Sequence, residues 1–162
     1  MFEKFGEFDS CEELNRAAAA QLAEGDTDAI YTIAEENGID REDAEDYIDG
    51  LVPELVTPLM AAYGKLAVEK KELKLEGIME DWMEYIRIQC RDDGRMAAAV
   101  RKKGKSLKGC IAVLLGWSLE HAKPVPEEIL KECKISYRVL LGIPGMGQAK
   151  KMIREYYMGE GK

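Results

Sequence analysis

The stretch Asp40-Arg41-Glu42-Asp43-Ala44-Glu45-Asp46-Tyr47-Ile48-Asp49-Gly50-Leu51 carries the period that decides the fold class. Ala44, Tyr47, Ile48 and Leu51 recur at i, i+3, i+4 and i+7, and Glu42, Glu45, Asp46 and Asp49 recur with the same spacing on the other side. Two such stripes make an amphipathic helix with one buried and one solvated face. Asp40 stands at the N-cap position and Asp43 at the capping-box position.

The same period extends in both directions. Upstream, Ser10 and Glu13 form a capping box before Cys11, Leu14, Ala18 and Leu22, and Gly25 closes that helix. A second helix starts near Asp26-Thr27, buries Ile30, Ile33 and Ala34, and stops at Asn37-Gly38. Downstream, Pro53 and Pro58 bracket the start of a fourth, with Leu55, Leu59, Ala62, Tyr63 and Leu66 inside. A fifth spans roughly 76–91 through Met79, Trp82, Tyr85, Ile86 and Cys90, and a short sixth carries Met96, Ala99 and Val100.

Ser106 caps a seventh helix over 107–121, whose middle is apolar almost all round and is expected at the centre of the core. Pro126 is placed at the first position of an eighth, with Glu127 and Glu128 in its first turn. The last, after Gly147, carries Ala149, Met152, Ile153 and Tyr156; residues 136–143 are the one strand-like stretch. The expectation is an all-α, compact multi-helix protein of eight or nine helices. A seam near Lys74–Gly77 would divide residues 1–75 from residues 76–162.

Charge divides the chain in the same way. Residues 1–57 hold seventeen acids and three bases, a net of −14, whereas residues 96–162 hold thirteen bases and six acids, a net of +7. An asymmetry of this size points to an electrostatic partner or to one half docking on the other, including between two chains of a homodimer. The longest apolar run, residues 110–119, is about half of what a bilayer crossing needs. The opening residues lack a charged-then-apolar signal pattern, which predicts a cytoplasmic protein and no membrane. Four dispersed cysteines without a Cys-x-x-Cys pair, and a single histidine, predict buried thiols and no metal. An EF-hand is a poor alternative, because Asp40-x-Glu42-x-Ala44 lacks the fifth-position ligand and the following glycine.

Three features compete as functional surfaces. Carboxylates three and four apart on a helix lie about 5–6 Å apart at Cβ, comparable with successive phosphates of a nucleic-acid strand. Glu35, Glu36, Asp40, Glu42, Asp43, Glu45, Asp46 and Asp49 could therefore fill a basic channel built for a polynucleotide, or simply keep the surface solvated. The basic cluster Arg101, Lys102, Lys103, Lys105 and Lys108 could grip phosphates, or dock on the chain's own acids. Gly142-Ile143-Pro144-Gly145-Met146-Gly147 has the Pro-Gly-x-Gly turn of a helix-hairpin-helix, in which Gly145, Gly147 and Lys150 would meet a phosphate; a plain helix-capping turn is the alternative. His121 reads as a partner of a helix C-terminus. No nucleophile, phosphate loop, dinucleotide fingerprint or cofactor motif stands out, so a non-enzyme without cofactor is expected.

Residues 97–120, with Lys105-Ser106-Leu107-Lys108-Gly109-Cys110-Ile111, and the closing Tyr156-Tyr157 resemble the PcfK-like family of mobile-element proteins of conjugative elements and phages. The acidic opening, residues 1–9, and Glu35-Glu36-Asn37-Gly38-Ile39-Asp40 are similar to its longer members. This resemblance implies an anti-CRISPR inhibitor, since relatives include inhibitors of the type II-A RNA-guided DNA nuclease, which holds its guide RNA and target in a positive channel. The chain departs from the family in ending Met158-Gly159-Glu160-Gly161-Lys162 instead of in an acidic tail. The alternative implied by the basic cluster and the glycine turn is a nucleic-acid-binding accessory of a mobile element.

Overall fold

In the computed structural model, which describes residues 2–159, the chain folds into nine α-helices and one pair of two-residue strands among those residues. In order these are α1 (Cys11–Glu24), α2 (Thr27–Glu36), α3 (Arg41–Ile48), α4 (Pro58–Leu73), α5 (Ile78–Asp92), α6 (Gly94–Arg101), α7 (Leu107–Glu120), β1 (Lys123–Pro124), α8 (Glu127–Glu132), β2 (Leu140–Leu141) and α9 (Met146–Met158). The all-α class is therefore as the spacing requires. Residues 160–162, where the resemblance noted above would lead one to look for an acidic tail, lie outside the described residues.

Helix ends follow local chemistry with four departures from the expected pattern. Ser10 Oγ accepts from Glu13 N at 3.1 Å, but the Glu13 carboxylate reaches one residue further back, accepting from Asp9 N at 2.6 Å. Asp40 occupies the cap position of α3 without a side-chain capping bond, so no capping box forms there. α3 stops at Ile48, which leaves Leu51 outside the helix and 72% exposed instead of buried. Pro126 is the residue preceding α8, not its first helical residue.

Two compact units divide the chain after Lys108, not at residues 75–76. The expected seam lies inside the first unit because α4 packs on both α5 and α6, with Leu75 buried between the two halves of that prediction. In this unit Leu14, Ala18, Ile30, Ile33, Ala44, Tyr47, Leu55 and Ala61 form a continuous apolar cluster, and Phe5 and Phe8 of the N-terminal arm pack against it. Burying each large aliphatic side chain contributes roughly 1.5–3 kcal/mol before entropy is counted.

The non-helical segment between α3 and α4 is held by one side chain. Asn15 Nδ2 donates to Val56 O at 2.8 Å, and Val56 N donates to Asn15 Oδ1 at 2.9 Å. A buried amide thus replaces the ladder that this segment lacks. Nearby, a Cβ on Gly64 would lie 2.1 Å from Asn37 O, and one on Gly38 would lie 2.4 Å from Gly64 O. Bare backbone at both positions lets the end of α2 touch α4.

The second unit holds most of α7, the strand pair, α8 and α9. β1 and β2 are antiparallel, with Lys123 opposite Leu141 and Pro124 opposite Leu140. A Cβ on Gly142 would meet Ser118 O at 2.1 Å, so glycine lets the chain after β2 lie against the end of α7. α7 is not the buried centre that its composition suggests. Leu107, Cys110 and Leu114 are buried, while Val113, Leu115 and Leu119 are 45%, 55% and 74% exposed. Its apolar residues run round the helix, but the structure covers only one stripe of them.

Candidate interaction surfaces

The acidic segment forms a ridge on α3 and its flanks. Glu42, Asp46 and Asp49 are exposed, one or two turns apart, with Asp40 and Glu35 exposed ahead of them and Asp43 half-buried. None of these six has a hydrogen-bond or ion-pair partner for its carboxylate among the described residues. Asp43 lies between two adjoining hollows, one also bordered by Asp40 and the other by Asp46 and Glu54.

Two of the expected contact residues are used by the chain itself. Glu36 accepts from the backbone N–H of Lys4 at 2.6 Å and of Phe5 at 3.2 Å, anchoring the N-terminal arm. Glu45 pairs with Arg41 at 3.1 Å, and the Arg41 guanidinium lies 4.1 Å from the centre of the Tyr31 ring. The helix thus presents its carboxylates with one cation laid along its edge.

The basic cluster is not one surface. Arg101 is buried, donating from Nη2 to Asn37 Oδ1 at 2.7 Å and from Nε to Phe8 O at 3.3 Å, with its guanidinium near the Phe2 ring. Lys102, Lys103 and Lys108 are exposed, Lys105 is half-buried, and the Lys103 backbone N–H donates to Asp9 Oδ1 at 2.8 Å. Arg101 is thus removed from the expected phosphate-binding set, because Met96, Ala97 and Val100 carry the end of α6 inward with it.

Around Arg101 lies a buried polar network that apolar spacing did not reveal. Lys65, on α4, is 1% exposed and donates to Glu7 Oε1 at 2.8 Å, Lys102 O at 2.8 Å and Lys105 O at 2.6 Å. These three acceptors complete the ammonium's donor capacity. One turn further on, Glu69 accepts from Leu107 N at 3.1 Å. Burial raises the Glu69 pKa, opposed by that hydrogen bond and by Lys65. Burial works against the charge of Arg101, and Glu7 and Glu69 support it. Two cations and two anions thereby tie the arm, α4, the end of α6 and the start of α7. The i, i+4 spacing of Lys65 and Glu69, beside buried Ala61, Ala62 and Leu66, is the sequence signal for this arrangement.

In the second unit the glycine turn opens α9 directly, with Gly145 preceding the helix and Gly147 within its first turn. Residues 135–139 are not helical and 140–141 are strand, so no helix immediately precedes the turn as a helix-hairpin-helix would need. Lys150 is exposed on α9. Tyr157, not Tyr156, joins Ala149, Met152 and Ile153 among the buried residues of α9. His121 directly follows α7, its ring stacked 4.2 Å from that of Trp117 and its Nδ1 2.9 Å from Trp117 O.

Among the described residues no group of three or more His, Cys, Asp or Glu is arranged to hold a metal ion. No helix there is long and apolar enough to cross a membrane. No protein-family model, curated protein or solved structure matches the chain.

Proposed function

We propose that this protein is a non-enzymatic inhibitor whose α3 ridge enters a cationic nucleic-acid channel of a partner protein. The partner that the PcfK-like resemblance suggests is the type II RNA-guided DNA nuclease with its guide RNA. The observation that carries this reading is the set of Asp40, Glu42, Asp43, Asp46 and Asp49 carboxylates, gathered on one short helix and its caps without partners among the described residues. Carboxylates left unpaired on a stiff scaffold keep a field that attracts a positive groove and lose no internal bonds on docking. The accessory reading keeps Lys102, Lys103 and Lys108 as candidate phosphate contacts, but its central Arg101 is enclosed.

The test is DNA cleavage by several purified type II-A nucleases with increasing amounts of this protein. Inhibition that saturates near equimolar protein, and that is lost when Glu42, Asp46 and Asp49 are replaced by lysine, is the expected result. Full cleavage at large excess with every enzyme would remove the proposal.

A further inference from the structure

The second unit contains a groove of about 710 Å³ between β1, α8 and the chain that follows α8. Val125, Leu130 and Ile135 are its half-buried apolar lining, and Lys131, Lys134 and Arg138 stand around it as exposed cations. Lys131 has a long i, i+4 contact of 3.8 Å with Glu127, whereas Lys134 and Arg138 have no acidic partner among the described residues.

The chain keeps Lys134 here against its backbone preference. Lys134 has φ +55° at the end of α8, where Lys134 N donates to Lys131 O and Ile135 N donates to Leu130 O. Glycine is the usual residue at such a helix end, and a side chain in this conformation costs about 1–2 kcal/mol. The six-residue helix alone does not require an ammonium at this point.

We infer that this groove docks an acidic, apolar peptide segment of a partner protein, whose hydrophobic side chains lie on Val125, Leu130 and Ile135 while its carboxylates meet Lys134 and Arg138. Charge complementarity selects this occupant. A wholly apolar segment would leave both cations unused. A nucleic acid would bring a continuous run of phosphates past Glu127, Glu128 and Glu132 of α8, which repel it. A short peptide can place a few carboxylates beside the two cations, since Glu128 and Glu132 lie outside the lining and Glu127, its one carboxylate, faces Lys131 at 3.8 Å. This surface lies wholly within the second unit and is independent of the role proposed for α3.

The experiment uses the full chain and a fluorescein-labelled peptide of about twelve residues that alternates aspartate with leucine and phenylalanine, followed by anisotropy. Saturable binding is expected, weakened about tenfold or more by combining K134E with R138E, and severalfold by Tyr137→Ser, which removes an exposed ring at the groove. Far-UV circular dichroism and thermal melting of the variants check that they remain folded. The E42K and D46K substitutions on α3 should leave peptide affinity unchanged. Absence of saturable binding, or equal binding by the folded charge-reversal variant, overturns the inference. So does equal affinity for an all-aspartate peptide or for single-stranded DNA of the same length. A dimer in light scattering that the charge reversal dissolves would instead assign the groove to a second copy of this chain.

Discussion

Arg101 Nη2 donates to Asn37 Oδ1 at 2.7 Å, joining two buried side chains sixty-four positions apart. Asn37 Nδ2 donates in turn to Ile33 O at 2.8 Å, so the amide has a fixed orientation and α6 is tied to the end of α2. Nη1 of the same guanidinium has no hydrogen-bond partner among the described residues. A cation in this position organises the first unit instead of meeting solvent phosphates. Replacing Arg101 with methionine should cost about 3 kcal/mol, because the buried Asn37 Oδ1 loses a donor that water cannot replace, and Glu7 and Glu69 lose a supporting charge. Urea unfolding of the full chain measures it, and an unchanged midpoint would refute the assignment.

Glu7 gives a milder version of the same test. Its carboxylate is 28% exposed, while the Lys65 ammonium beneath it is 1% exposed. Glu7→Gln removes one anion from a cluster that holds two cations, and a loss of about 1–2 kcal/mol is expected, smaller than for Arg101→Met. The corresponding loosening should appear as faster hydrogen exchange in residues 4–9, read by mass spectrometry.

Gly64 and Gly116 should respond in opposite directions to the same methyl group. Gly64→Ala would drive a Cβ to 2.1 Å from Asn37 O, forcing α4 away from the end of α2 at a cost of about 3 kcal/mol. Gly116, inside α7, has nothing among the described residues within 4 Å of its added Cβ beyond its own helix and chain neighbours. Gly116→Ala should therefore stabilise by about 0.5–1 kcal/mol through helix propensity alone. Paired thermal melts settle both.

Much of the first unit was readable because its helices alternate cleanly. Leu14 with Ala18, Ile30 with Ile33 and Ala34, and Ala44 with Tyr47 all fall at helical spacing and all are buried. The inward charges were missed for a physical reason. An apolar period treats Lys65, Glu69 and Arg101 as interruptions, although Lys65 follows the buried Ala61 and Arg101 the buried Ala97 by four positions, and Glu69 follows Lys65 by four. α7 failed in the opposite sense, since a helix apolar on every side does not say which side the fold will cover. The unpaired carboxylates of α3 were visible as spacing, but Glu36 and Glu45 were not distinguishable from them until the arm and Arg41 were placed.

Glu69 should leave a signature in the pH dependence of stability. Burial raises its pKa above the ordinary 4.5, so the folded chain holds that proton to higher pH than the unfolded chain. Just above 4.5 the native state binds more protons, and the contribution of this site to stability falls as pH rises through the window, levelling off once the folded group has ionised. Glu69→Gln keeps an oxygen acceptor for Leu107 N and abolishes the titration. The wild-type stability minus that of the variant should decline across this range; an increase with pH would contradict the buried carboxyl.

Thiol labelling should separate the cysteines. Cys11, Cys90 and Cys110 are buried and Cys133 is exposed. Burial, aided by Asp93, pushes the Cys90 pKa up to about 12, and burial raises that of Cys11 as well. Since the thiolate is the reactive form, iodoacetamide at mild alkaline pH should modify Cys133 in the native chain and the other three after denaturation. Early modification of Cys90 would contradict its packing.

The enclosure of Lys65 has a practical consequence. Its ammonium is fully occupied by Glu7 and two carbonyls, so an acylating reagent that marks the solvent-facing lysines should pass it over. The appearance of an acyl group on that one peptide in a mass spectrum would mark the moment when the N-terminal arm lifts, which makes this lysine a built-in gauge of whether a bound partner has unseated the arm.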